Sequence, residues 1–117
     1  MPSEADSAYL WDMLRAARAV GRFVEGRTRE SYLADELLQA AVERKIEIIG
    51  EAARKVSSTL QTAHPEIPWS KIQGQRHVLA HDYGDIEHDR LWDVATIHVP
   101  VLATQIEAII PTESSER

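Results

Sequence analysis

Eight consecutive residues, Arg76 to Tyr83, carry one guanidinium, two imidazoles, a carboxylate and a phenol. Gly74 and Gly84 bracket this stretch, and upstream of Asp82 there is no acid until Glu66. An arginine in a partly apolar setting can grip a phosphate with two parallel hydrogen bonds. A histidine, with an ordinary pKa near roughly 6.5, can give or take a proton at neutral pH. Together these groups are the minimum for cleaving RNA without a metal. The ribose 2′-hydroxyl attacks the neighbouring phosphate, a base removes its proton, an acid serves the leaving oxygen, and arginine steadies the crowded phosphoryl group. Spacing alone does not select this chemistry, because an Arg and a His five apart on a helix are common and most are structural.

Helical geometry sharpens the problem. At about 100° per residue, Arg76 and Tyr83 share a face, while His81 lies about 140° from Arg76 and about 200° from Tyr83. The three cannot converge from one continuous helix. Either the helix unwinds before Gly84, or the site is completed by another helix or a second chain.

The elements that must position these groups read as helices. Leu10, Met13, Leu14, Ala17, Val20 and Val24 repeat at helical spacing over residues 7–25, with Gly26 as the stop. Residues 1–6 are polar and expected to fray. Trp11 lies off the stripe. Thr28 or Ser31 can cap a second helix, whose long pattern runs from about 32 to 56 on Leu38, Val42, Ile46, Ile49, Ala53 and Val56. Glu43, Glu47 and Glu51 repeat every four residues, and Glu43 and Glu47 read as a solvated face. A short helix ends near Ala63. His64-Pro65-Glu66-Ile67-Pro68 is a rigid connector into a third helix from Trp69 to about Asp82 or Tyr83. The last helix covers about 87–110, with a stripe of Leu91, Val94 or Ala95, His98, Leu102, Ile106 and Ile109. Pro100 should kink it near Thr96. His98 is expected as a core histidine. The fold class is therefore all-α: an antiparallel bundle of four main helices with a kinked last helix. Residues 1–110 form one helical domain, and 111–117 a flexible polar tail.

Composition limits the functions available. The 117 residues suit one domain. Apolar residues make up 44% and charged residues 27%, as in soluble globular chains, and no apolar run is long enough to span a bilayer. Met1-Pro2-Ser3-Glu4 lacks the basic start and apolar block of a secretory signal. With no cysteine, disulfides and thiolate zinc sites are excluded, which is compatible with a cytoplasmic location. The net charge of −6 argues against an extended nucleic-acid surface but leaves room for a small basic site.

Arg76, four residues, His81, one residue, Tyr83 resembles the Arg-x4-His-x-Tyr signature of the HEPN superfamily. More narrowly, the chain resembles HepT-type toxins, partners of minimal nucleotidyltransferase (MntA-type) antitoxins. Ile48-Ile49-Gly50-Glu51-Ala52-Ala53, His64 to Trp69, Leu91-Trp92 and Val99-Pro100-Val101-Leu102 resemble the family's flanking blocks in the same order, covering about residues 7–110. The resemblance implies a HEPN-like, dimeric, metal-independent endoribonuclease. It would be the toxin of a type VII toxin–antitoxin system, needing no cofactor and able to assemble beyond a dimer. Arg76 and His81 would be catalytic at the dimer interface. Tyr83 would line the site and be neutralised by adenylylation. An acid expected near Gln39-Ala40-Ala41 is replaced by Ala40, so any role it has in supporting the site is lost here or passes to Glu51.

Lys71, Gln75, His77 and Asp82 are further supporting candidates: Lys71 and Gln75 toward phosphate, His77 as a second proton carrier, Asp82 in orienting a base. Trp69 reads as a core anchor. Two rival functions remain at this point. His77 and His81 stand at i and i+4, a workable metal pair, and His81-Asp82 is the doublet of HD-type metal phosphohydrolases. That reading needs a further upstream His and a later Asp, for which His64 and Asp85 or Asp93 are the available residues. Alternatively, the chain is a non-catalytic helical interaction module whose acidic surface meets a basic partner.

Overall fold

Ser3 opens the first helix. Its hydroxyl accepts from the Asp6 N–H at 3.1 Å, and Glu4 and Asp6 place negative charge in the first turn, where the exposed N–H groups favour it. A computed structural model describes residues 2–74 and 88–110. In it α1 runs Glu4–Val24. Leu10, Met13, Leu14 and Val20 are completely buried and Ala17 nearly so, as the spacing predicted. The helix stops where Gly26 adopts φ +74°, a left-handed conformation that costs glycine least. Trp11 is partly buried against the core, with Arg15 and Arg18 over its ring at 5.5 and 6.0 Å.

The N-terminal residues depart from the expectation of fraying. Asp6 is buried, and its carboxylate accepts from the Ser57 N–H at 2.8 Å and the Ser57 hydroxyl at 2.6 Å. Ser57 in turn caps the next helix by accepting from the Leu60 N–H. A polar sequence therefore hides a staple between two distant helix ends.

The long second pattern is two helices. α2 spans Arg29–Leu33 and α3 spans Glu36–Lys55. Thr28 and Ser31 form a reciprocal capping box on α2. Asp35 caps α3 by accepting from the Leu38 N–H, and the buried Gln39 amide donates to the carbonyls of Tyr32 and Leu33. The Tyr32 carbonyl also accepts from the Asp35 N–H at 3.2 Å, so side chain and backbone together bridge the break. The predicted stripe of α3, from Leu38 to Ala53, is buried throughout, as is Val56 just past its end. It packs antiparallel on α1, since Asp6 at the start of α1 meets Ser57 beyond the end of α3.

α4 is Ser58–Ala63. After the two prolines a helix, α5, begins at 69 and is described to 74. Ile67 and Trp69 are buried, and the Trp69 indole donates to the His64 carbonyl at 3.0 Å, so Trp69 is a core anchor. The last helix joins three segments: α6 (His88–Asp93), a π turn (Val94–His98) and α7 (Val99–Glu107). Pro100 has no N–H and its ring crowds the carbonyl four residues back; the wider turn makes room, with the Val99 N–H reaching Val94. The break falls where the proline predicted it.

The extra residue of the π turn changes which side chains face inward. Leu91, Ala95, Val99, Leu102 and Ile106 are buried, whereas His98 is exposed. The expectation of a core histidine is thus overturned by a one-residue shift in register. All described secondary structure is helical, and the whole is the expected antiparallel bundle with α1 at its centre, packed on α3 and α7. No helix among the described residues is long and apolar enough to cross a membrane.

The Asp6 staple gives a direct test. Asp6→Ala removes a buried charged acceptor of two hydrogen bonds and should cost about 2 kcal/mol in urea unfolding. Glu4→Ala in the same turn, on the exposed side, should cost less than about 0.5 kcal/mol. Equal effects would show that the staple contributes nothing.

Candidate functional site

The motif residues Gln75, Arg76, His77, His81, Asp82 and Tyr83 lie outside the described residues. Two expected supports are described. Glu51 is half-buried on α3, and Lys71 is exposed in the first turn of α5. The described residues that end at 74 and resume at 88 are both anchored to the scaffold.

At the first end, the Trp69 indole and the buried Ile67 side chain fix the start of α5. The connector is also tied to the last helix, because the Gln105 amide donates to the Glu66 carbonyl at 2.9 Å. Beside this anchor lies an open groove of about 430 Å³. Pro65 and Pro68 contribute apolar surface, and Thr62, Ser70 and Lys71 contribute polar groups. Lys71 has no ion-pair partner among the described residues. Glu66, the acid nearest in sequence, is engaged at 3.2 Å by His64.

At the second end, Arg29 forks across to α6. It donates to Asp89 at 2.9 Å and to Asp93 at 2.8 Å. These acids are one helical turn apart, so a single planar guanidinium clamps both. Behind the clamp sits a polar cluster. His88 Nδ1 lies 3.5 Å from a Glu43 carboxylate oxygen, within ion-pair range but without a hydrogen bond. Tyr32 is fully buried, packed edge-on to His88 at 6.3 Å and tilted against Trp92 at 5.3 Å. Among the described residues its hydroxyl has no hydrogen-bond partner.

Burial dominates the electrostatics here. It pushes the Tyr32 phenol up from 10.0 to about 12, with the Glu43 charge adding to the effect. Burial also raises the Glu43 carboxyl, His88 opposes that shift, and Glu47 reinforces it. Glu47 itself is on the solvated face expected for it, paired with Arg44 at 2.8 Å. Glu43 is not, because α2 and α6 cover it. Ala40, where an acid was expected, is exposed.

Sequence reasoning missed Glu43, Tyr32 and His88 as a group. One signal was available: Glu43 adjoins Val42 and Ile46 of the buried stripe, which puts it at the rim rather than the outer face. Which residues cover that rim is not readable from local pattern. Among the described residues, no group of three or more His, Asp or Glu side chains is arranged to hold a metal ion.

A family model described as "Ribonuclease HepT-like" matches residues 13–109. The chain belongs to the ribonuclease HepT-like family. A Thermococcus cleftensis protein named "Probable ribonuclease HepT" is 33% identical over 101 residues, covering 86% of this chain and 92% of the relative. Two Methanocaldococcus jannaschii proteins are similar. "Putative RNase MJ0127" is 32% identical over 94% of this chain and 91% of its own. "Putative RNase MJ1380" is 30% identical over 87% and 94%. No solved structure is a significant match.

Tyr32 carries a test of the cluster. A raised phenol pKa means that the folded state keeps a proton the unfolded chain releases. Its stabilising contribution is full below pH 10 and is lost as pH rises toward about 12. Tyr32→Phe should flatten that alkaline decline in stability, measured by urea unfolding across the window. At neutral pH it should change stability by less than about 1 kcal/mol, since no hydrogen bond is lost. A neutral-pH loss above about 2 kcal/mol would reveal a bonded hydroxyl instead.

Proposed function

We propose that this chain is the toxin of a toxin–antitoxin pair, a metal-independent endoribonuclease. The observation that carries the reading is the family match over residues 13–109, a span that contains Arg76, His81 and Tyr83 at the family's signature spacing. The relatives' names point to the same substrate class. Arg76 binds the scissile phosphate and stabilises its developing charge. His81 exchanges protons with the reacting oxygens. The 2′-oxygen forms a bond to phosphorus, the bond to the 5′-oxygen breaks, and the 2′-proton passes to a base while an acid protonates the leaving oxygen. The products are a 2′,3′-cyclic phosphate and a 5′-hydroxyl.

One histidine serves one proton transfer at a time, and on one continuous helix His81 and Arg76 would face about 140° apart. A homodimer answers both points, with a second copy completing the cleft. Glu51, Lys71, Gln75, His77 and Asp82 are supporting residues in this reading. Tyr83 is the regulatory group. A minimal nucleotidyltransferase of the MntA type adds adenylate to its hydroxyl, which places anionic phosphate beside Arg76 and competes with RNA.

Three measurements test the reading. His81→Ala and Arg76→Ala should each lower RNA cleavage by at least about 100-fold with the oligomeric state unchanged. Cleavage should survive EDTA; its loss would favour a metal phosphohydrolase. Unchanged toxicity in both variants would leave a non-catalytic module as the better account. Separately, co-expression with the nucleotidyltransferase should add adenylate mass to the wild type and none to Tyr83→Phe. An equal adduct on both would refute Tyr83 as the acceptor.

A further inference from the structure

Of the groove beside α5, the chemistry above draws only on Lys71, as a supporting residue. The groove has an apolar wall in Pro65 and Pro68, the exposed hydroxyls of Thr62 and Ser70, and the Lys71 ammonium at one end. Its floor, Ile67 and Trp69, is rigid, because both are buried and the Trp69 indole is bonded to His64. Many of the chain's cations are consumed by acids: Arg18 by Glu107, Arg27 by Asp35, Arg29 by Asp89 and Asp93, Arg44 by Glu47. Among the described residues Lys71 is not, and between Glu66 and Asp82 the sequence offers it no competing acid. Glu66 is already held by His64.

Position adds to charge. Lys71 and Arg76 are five residues apart, so their Cα atoms lie within about 18 Å of each other whatever the backbone does between them. A strand whose phosphate is gripped by Arg76 has its next few nucleotides within reach of the groove. An anionic polymer with flat, partly apolar bases suits an ammonium beside proline rings and hydroxyls. A basic peptide does not suit it, because the groove's one charged lining residue is a cation.

We infer that this groove is a flanking subsite for single-stranded RNA, with Lys71 binding a phosphate outside the cleaved bond and Pro65 and Pro68 supporting the adjoining nucleotide. The assignment rests on the ribonuclease reading and deepens it. It places recognition of the strand on the connector and α5, apart from the groups that carry out the reaction.

The test uses the full chain and an RNA oligonucleotide with a 2′-deoxy sugar at the cleavage point, so that it binds but is not cut. One phosphate contact on a single strand contributes about 0.7 to the slope of log affinity against log salt. Lys71→Ala should lower that slope by about 0.7 and weaken binding about fivefold at 0.1 M salt. With cleavable RNA the loss should fall on KM rather than on kcat, as expected for uniform binding. Lys71→Arg should restore most of it. Arg22→Ala, which removes an exposed charge at the end of α1, controls for net charge. Equal weakening by Arg22→Ala and Lys71→Ala would overturn the subsite, as would a wild-type slope and KM in Lys71→Ala. Failure of the wild type to bind or cut any RNA would instead bring down the ribonuclease reading, and the subsite with it.

Discussion

The antiparallel contact of α1 on α3 is the constraint on which the rest of the bundle depends. Leu10, Met13, Leu14 and Val20 on one helix meet a stripe that includes Val42, Ile46, Ile49 and Ala53 on the other, and all are removed from water. Burying a side chain of this size contributes roughly 1.5–3 kcal/mol, enough in sum to offset much of the entropy lost in ordering two long helices. Alanines at positions 16, 17, 19, 52 and 53 are buried in the same region, and small side chains permit close approach of helices. The Asp6–Ser57 staple then fixes one end of the pair in register. Such a contact sets where α3 presents its rim, and thereby where Glu43 and Glu51 stand.

In this frame the described residues on either side of 75–87 are each secured. The first is held by an indole bond and two buried side chains. The second is held by a forked guanidinium and a stacked aromatic cluster. The two anchors differ in kind. Apolar burial at α5 is insensitive to salt, whereas the Arg29 fork is exposed and weakens as ions screen it. The partly buried contacts among Tyr32, Trp92 and His88 supply what the exposed ion pairs cannot. That arrangement carries a cost, since a buried phenol without a partner among the described residues and a partly buried carboxylate are both unfavourable burials.

Charge is distributed to the same end. The chain is acidic overall, with a net charge of −6, yet many of its arginines are bound into ion pairs across its surface. An acidic protein that acts on an anionic polymer must concentrate its remaining cations where the strand passes. The acid-free run from Ile67 to His81, which holds Lys71 and Arg76, meets that condition at the motif itself.

Much of this was legible before any coordinates. Periodicity determined the all-α class and the stripes of α1 and α3, because burial of one helical face is a local, repeating demand. The cap at Thr28 was legible from the local chemistry of a short polar side chain, whereas Ser3 caps α1 from a stretch expected to fray and the break at Asp35 was masked by an apolar pattern that continued across it. The motif residues were legible too, as types and spacing. Only the tertiary structure decided which apolar positions of the last helix turn inward. Pro100 forces an extra residue into one turn, so Val99 takes the place that spacing assigned to His98. It alone decided that Asp6 is a staple rather than a frayed end, and that Glu43 is covered by α2 and α6 rather than solvated. Those outcomes depend on partners between 45 and 51 residues away in the chain, as Glu43 to His88 and Asp6 to Ser57 show. No local pattern of charge or hydropathy encodes a contact at that separation.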